Sequence, residues 1–168
     1  NERGAITLEA EKILIACGTK PARPDTIPFD GETVYDSDEI LKLKKIPRNL
    51  IVIGGGVIGI EYAIMFATLG VRVTVVDGRD RLLEFADPEV VNSLMFHART
   101  LGMVFRMGED VVGIDRVRDN RIALHLESGK KLIGESVLYA AGRAGDTERL
   151  NLESAGLTPD ERGRLWCN

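Results

Sequence analysis

Residues 49–83 read NLIVIGGGVIGIEYAIMFATLGVRVTVVDGRDRLL, and no other part of the chain restricts its fold so tightly. Gly54, Gly56 and Gly59 form G-x-G-x-x-G directly after the apolar run 50–53. A helix is predicted over 57–69, closed by Gly70. The β-branched run VRVTVVD follows and ends at Asp77, about 20 residues past the turn. Strand, glycine turn, helix and second strand make a βαβ unit, whose parallel strands are buried and apolar. Each glycine then has a steric task. Gly54 permits a tight turn, Gly56 lets backbone approach a pyrophosphate, and Gly59 lets helix and strand pack closely. The helix N-terminus adds N–H groups without intrahelical partners and the positive end of the helix dipole. In this context dinucleotide binding outweighs a glycine-rich connection with no ligand.

The end of the second strand bears on which dinucleotide. An acid there accepts hydrogen bonds from ribose hydroxyls and repels a 2′-phosphate, which favours NAD or FAD over NADP. Asp77 is that acid. Arg79 and Arg81 stand just beyond it in DGRDRLL, and arginines in that loop can neutralise a 2′-phosphate. Asp80 lies between them, and both arginines also suit an ordinary exposed loop. The signal is mixed and leans to NAD.

The remaining pattern predicts an α/β fold, a Rossmann-like doubly wound parallel sheet with an inserted antiparallel β-meander. Residues 5–9 and 12–17 alternate or run apolar and read as two strands stopped by Gly18. The stretch after them carries Pro21, Pro24, Pro28 and Pro47 and reads as a linker with at most a short helix at 38–43; its KLKK run reads as a solvated face. A second helix is punctuated by Asp87 as N-cap, Pro88 at the first position and Gly102 at the stop. Its apolar face is expected to be Val90, Val91, Leu94, Met95, Ala98 and Leu101, with His97 at its boundary. MVFRMG, DVVGIDRV, RIALHLE and KKLIGE then read as short strands, with hairpin turns at RDNR and ESGKK, and SVLYAAGR as one more buried strand. His125 alternates with apolar neighbours and is expected to face solvent. ILIACGTK and VLYAAGRA both end in Ala-x-Gly, an echo that suggests two similar domains.

Composition narrows the function. The chain has 168 residues, 44% hydrophobic and 29% charged, with a net charge of −4. It reads as a soluble globular protein, and the acidic balance argues against nucleic acid as the main partner. The longest apolar stretch, 50–60, is too short to span a bilayer, and NERGAITLEA lacks the pattern of a secretory signal. Cys17 and Cys167 fit no metal-ligand or CxxC spacing and read as reduced thiols of a cytoplasmic protein. Metal ligands and catalytic side chains are not assigned.

Together ILIACGTKPARP, YDSDEILKLKKIPRNLIVIGGGVIGIE and LYAAGRAGDT resemble the pyridine-nucleotide domain of the FAD-dependent pyridine nucleotide–disulfide oxidoreductases, over nearly the whole chain. VIGIEYA, RDRLL, SGKKL and LYAAGRAGDT are most similar to the family's soluble transhydrogenase branch, which moves hydride between NADH and NADP through FAD with no disulfide step. The resemblance implies a piece of a longer protein. Residues 1–24 would end an FAD-binding domain, 25–48 form a linker, 49–147 bind NAD or NADP, and 148–168 return into the FAD-binding domain. It also implies that Gly54, Gly55, Gly56, Val57, Ile58 and Gly59 hold the pyrophosphate and Asp77 the adenosine ribose. Val111 would lie against the adenine, and Gly142 would approach the nicotinamide through its backbone. Glu61 would orient the carboxamide from the first helical turn, although an acid there also suits the helix dipole. Val57 stands where many disulfide reductases carry an aromatic lid over the flavin, so that role is not carried over. The partners implied are a nicotinamide dinucleotide and the missing FAD and dimerisation domains, in a homo-oligomer when full length, without a membrane. The alternatives are a lipoamide dehydrogenase-like disulfide reductase and a non-catalytic dinucleotide sensor.

Overall fold

The computed structural model describes residues 6–118 and 121–166. In chain order its elements begin with β1 (Thr19–Pro21), β2 (Val34–Asp36), β3 (Asn49–Ile53), α1 (Val57–Thr68), β4 (Arg72–Asp77) and α2 (Pro88–Thr100). There follow β5 (Val104–Met107), β6 (Val111–Val117), β7 (Arg121–Leu126), β8 (Lys131–Gly134), β9 (Ser136–Tyr139) and β10 (Arg143–Gly145). The chain divides into two compact units. One runs over Pro21–Arg143, and the other is drawn from the residues before and after it.

In the larger unit a parallel sheet runs in the order β2-β9-β3-β4-β5. Alternation along each strand covers both of its faces. Leu50 and Val52 of β3 and Val73 and Val75 of β4 pack with Ile60, Ala63, Phe66 and Ala67 of α1 and with Val91 and Ala98 of α2. Ile51, Ile53, Val76 and Val137 point the other way and pack with Ile122, Leu124 and Leu126 of the antiparallel sheet β6-β7-β8. A strand with period-2 side chains, apolar at every position, can be satisfied only by two such layers. Burying each of these valines or leucines contributes about 1.5–3 kcal/mol.

Three elements differ from the sequence expectation. The proline-bearing stretch supplies an edge strand, because Val34, Tyr35 and Asp36 pair in parallel with Val137, Leu138 and Tyr139. Its short helix covers only Ile40–Lys42 and is 3₁₀. That stretch is tied down as well. Arg23 pairs with Asp36 at 3.0 Å and Glu39 at 2.8 Å, and its guanidinium lies 4.4 Å from the Phe29 ring centre. Strand β5, expected within the meander, instead pairs in parallel with β4. The 13-residue helix α2 acts as a crossover, and such a connection returns the chain parallel to the strand it left. On α2 itself Val90 is exposed, so the buried face is narrower than the apolar spacing implies.

The hairpin turn expected at RDNR includes residues 119 and 120, outside the described residues, as is Cys167. The turn in ESGKK is present, with Gly129 at φ +80°. His125 lies on the face opposite Ile122, Leu124 and Leu126, as the alternation predicts; it is partly exposed, and its Nε2 lies 2.9 Å from Asp115 Oδ2. His97 and Cys17 are exposed.

In the smaller unit the strands expected at 5–9 and 12–17 do not form among the described residues. Ile6, Leu8, Ile13 and Leu14 are all exposed, and no described strand pairs with them. Alternation alone does not hold a strand, which needs ladder bonds and a face to bury. Here Gly145 N–H donates to Arg162 O at 2.7 Å, and Asp160 accepts the amides of Arg162 and Arg164.

The helix punctuation does hold. Asp87 Oδ1 accepts the amides of Glu89 at 2.8 Å and Val90 at 3.4 Å. Replacing Asp87 with Ala is expected to cost about 1 kcal/mol, and Asp87→Ser to recover most of it. Urea unfolding midpoints of the two variants check this.

Candidate functional site

The residues singled out in the sequence gather at the carboxyl edge of the parallel sheet. β3 lies between β4 and β9, so the chain leaves it in one direction and later returns on its other side. A crevice beyond the strand ends at such a reversal is the usual ligand position in open α/β sheets.

Glycine is required in the turn after β3 for different reasons at each position. Gly54 has φ +106°, and a Cβ on it would lie 2.7–2.8 Å from the backbone of Ala140 and Ala141. A Cβ on Gly55 would meet Leu82 Cδ1 at 2.7 Å, and one on Gly59 would lie 1.9 Å from Gly54 O. Gly56 is the exception, because a Cβ there would meet nothing within 4 Å. The backbone is therefore bare toward open space at the residue that caps α1. No side chain caps this helix, and its first turn carries no acid. Val57 is about half exposed and Ile58 partly buried beside it. An uncapped, unscreened helix start beside an open glycine fits a pyrophosphate, which would supply the missing acceptors.

Asp77 closes the other side of the turn. Its carboxylate is buried and accepts Gly55 N–H at 2.5 Å. Arg79 grips the same carboxylate, with Nε 2.9 Å from Oδ1 and Nη2 2.6 Å from Oδ2, while its amide donates to Oδ1 at 2.9 Å. Burial alone would raise the carboxyl pKa. The Arg79 guanidinium and the two amides outweigh it, holding Asp77 below the usual carboxylate range and raising Arg79 in turn.

The remaining candidates separate. Arg81 is exposed and makes no bond to Asp77; it borders a cleft of about 420 Å³ with Met95, Arg99 and Met107. Glu61 is exposed and is the fifth residue of α1, one position past the first turn. Val111 begins β6 just after a segment laced to the Asp77 turn: Glu109 N–H donates to Asp77 O at 3.1 Å and Gly108 N–H to Arg79 O at 3.0 Å. Gly142, at φ +121°, ends the turn after β9, next to the alanines that press on Gly54. Sequence reasoning missed Gly78, where a Cβ would lie 2.2 Å from Asp110 Oδ1, and the role of Arg79 as a clamp. The Asp-Gly pair at 77–78 was the available signal for the first. Among the described residues there is no cluster of three or more potential metal ligands, and no helix is long and apolar enough to cross a membrane.

Comparison with known proteins identifies the family. The family model described as pyridine nucleotide-disulphide oxidoreductase matches residues 1–168, and the chain belongs to that family. The soluble pyridine nucleotide transhydrogenase of Mycobacterium tuberculosis (strain ATCC 25177 / H37Ra) is 51% identical over 166 residues, 99% of this chain and 35% of that protein. The enzyme of the same name from Photobacterium profundum is 49% identical over 159 residues, 95% of this chain and 34% of that protein. The chain thus spans about a third of the curated relatives it matches. Among solved structures, the HOCl-induced flavoprotein disulfide reductase RclA from Escherichia coli has a TM-score of 0.81 at 32% identity, covering 91% of this chain and 35% of that one. LpdA from Mycobacterium tuberculosis has a TM-score of 0.83 at 25% identity, covering 90% and 33%.

Two outcomes follow from the turn. Gly59→Ala should lower stability by about 1–3 kcal/mol, whereas Gly56→Ala should shift it by less than about 0.5 kcal/mol; urea unfolding of both distinguishes packing from bare backbone. Because the folded-state pKa of Asp77 is depressed, its stabilisation is full above the ordinary value of 3.8 and is lost as pH falls through the folded value. The stability gap between the native chain and Asp77→Asn, measured from pH 6 downward, should therefore narrow as acid is added.

Proposed function

Taking family membership as the premise, we propose that this chain is the NAD(P)-binding part of a flavoprotein oxidoreductase that moves hydride between NADH and NADP through FAD. The observation that carries the reading is the bare Gly56 at the uncapped start of α1, with the Asp77 carboxylate held one residue away on Gly55. The likeness to soluble transhydrogenases over nearly the whole chain supports the reaction class.

In this reading the amides of residues 54–59 would hold the pyrophosphate, and Asp77 the adenosine ribose. Val111 would border the adenine. Gly142 would meet the nicotinamide through its backbone, and Glu61 would orient the carboxamide. The nicotinamide, when bound, supplies the hydride, and FAD in the full-length protein receives it. Residues 1–24 and 148–168 would belong to the FAD-binding domain, 25–48 to the connection and 49–147 to the NAD(P)-binding domain. The full protein would be cytoplasmic and a homo-oligomer.

A transhydrogenase must accept both NAD and NADP, and Arg79 offers a physical route. The closed clamp fills all four acceptor positions of the Asp77 carboxylate, so a ribose 2′-hydroxyl donates to Asp77 by taking the place of one Arg79 N–H. A 2′-phosphate instead competes with Asp77 for the guanidinium, trading one charge-assisted fork for another. The second reading, a lipoamide dehydrogenase-like disulfide reductase, is favoured by the structural likeness to the flavoprotein disulfide reductase RclA.

Parallel calorimetric titration with NADH and NADPH at one salt concentration separates the two. Comparable affinities are expected, with Arg79→Ala weakening NADPH by about tenfold (1.4 kcal/mol) and NADH much less. A preference for NADH beyond about a hundredfold, roughly 2.7 kcal/mol, would favour the disulfide reductase. Binding of neither would overturn the domain assignment.

A further inference from the structure

The opposite, amino edge of the parallel sheet carries a second cleft, of about 820 Å³. Its cations are Lys42, Lys44, Lys45, Arg48, Arg72 and Arg121. They come from three separate parts of the chain. The first four run from the last residue of the 3₁₀ turn to the residue before β3, Arg72 opens β4, and Arg121 opens β7. The KLKK run, which by itself reads as a solvated face, thus becomes one wall of a built concavity.

Three features set this cleft apart from scattered surface charge. First, the segment that bears the lysines is pinned. Leu43 packs against the core and Pro47 is buried, so Lys42, Lys44 and Lys45 are exposed around fixed anchors. Second, the backbone fixes Arg48 beside the start of β4, since Arg72 N–H donates to Arg48 O at 3.0 Å. Third, the side chains of Lys42, Lys44, Lys45, Arg48 and Arg72 have no carboxylate partner among the described residues, whereas Lys20, Arg23, Arg79, Arg116, Lys130 and Arg164 all do. The acids that line the cleft are Glu32 and Glu135, and Glu135 uses Oε2 to accept the Arg48 amide at 2.8 Å. In a chain of net charge −4, this cleft carries five cations without carboxylate partners against the two acids Glu32 and Glu135, a local excess of positive charge.

We propose that this cleft binds a small molecule bearing two or more clustered phosphates, at a site separate from the dinucleotide turn at the other edge of the sheet. Lysine ammonium groups recognise phosphate as point charges, and arginine guanidinium groups can fork onto its oxygens. Several cations converging from different elements favour a ligand with several adjacent charges over a single carboxylate or one phosphate. The inference does not depend on the hydride-transfer reading, because none of these residues belongs to the glycine turn or its clamp.

Calorimetric titration of the protein with inorganic triphosphate and with orthophosphate, in the absence and presence of saturating NADH, tests it. Triphosphate is expected to bind at least tenfold more tightly than orthophosphate, to weaken as salt rises, and to bind equally well with NADH present. The exposed double variant K44Q/K45Q should weaken triphosphate at least tenfold and leave NADH affinity within about twofold. Arg72→Gln serves as a second variant on a different element and should act in the same direction. The proposal is overturned if millimolar triphosphate gives no binding, if neither variant weakens it, or if NADH displaces it.

Discussion

The approach of Gly59 to the carbonyl of Gly54 governs this structure. With no Cβ on Gly59, the first turn of α1 sits directly on the end of β3, where any side chain would lie 1.9 Å from a carbonyl oxygen. That contact fixes where the helix begins and which way its amides point. It also lets Gly54, in a left-handed conformation, press against the backbone after β9. Three strand ends and one helix start therefore converge within a few residues, and the candidate site is what their convergence leaves open.

Electrostatics then divides the sheet into two unlike edges. At the carboxyl edge a buried carboxylate is the central charge, and it is compensated in full: the Gly55 and Arg79 amides and the Arg79 guanidinium all converge on Asp77. Burial of a charge without such partners would cost several kcal/mol. At the amino edge the side chains of Lys42, Lys44, Lys45, Arg48 and Arg72 have no carboxylate partner among the described residues, although Glu32 and Glu135 line the same cleft. The first arrangement is satisfied before any ligand arrives. The second is not, so the two edges differ in how far their charges are met within the chain.

Much of this was legible in the sequence because it is local. The β3-α1-β4 unit follows from glycine spacing and β-branched runs, and the start of α2 from Asp87 and Pro88. Local signals failed where pairing is remote. Val34–Asp36 is a three-residue strand amid prolines, and only its partners more than a hundred residues later make it one. The alternation of residues 5–17 had the opposite fate, a strand pattern with no described partner. Likewise Arg79 and Arg81 look equivalent in DGRDRLL. The bend after β4 turns only Arg79 back on Asp77, and spacing alone cannot distinguish them.

The place of β9 in the sheet also constrains the order in which the chain can assemble. It lies between β2 and β3, both of which precede it by more than eighty residues, and it is the last strand of the sheet in chain order. β3, β4 and β5 can form from near neighbours, and the meander can close on itself. The slot beside β3 stays open until residues 136–139 arrive, and β2 has no strand to pair with until then. Closing such long loops costs entropy before it yields contacts, which slows folding. During synthesis the nascent chain must therefore keep the apolar edge of β3 from pairing elsewhere, and the backbone that presses on Gly54 is in place only once that last strand has entered.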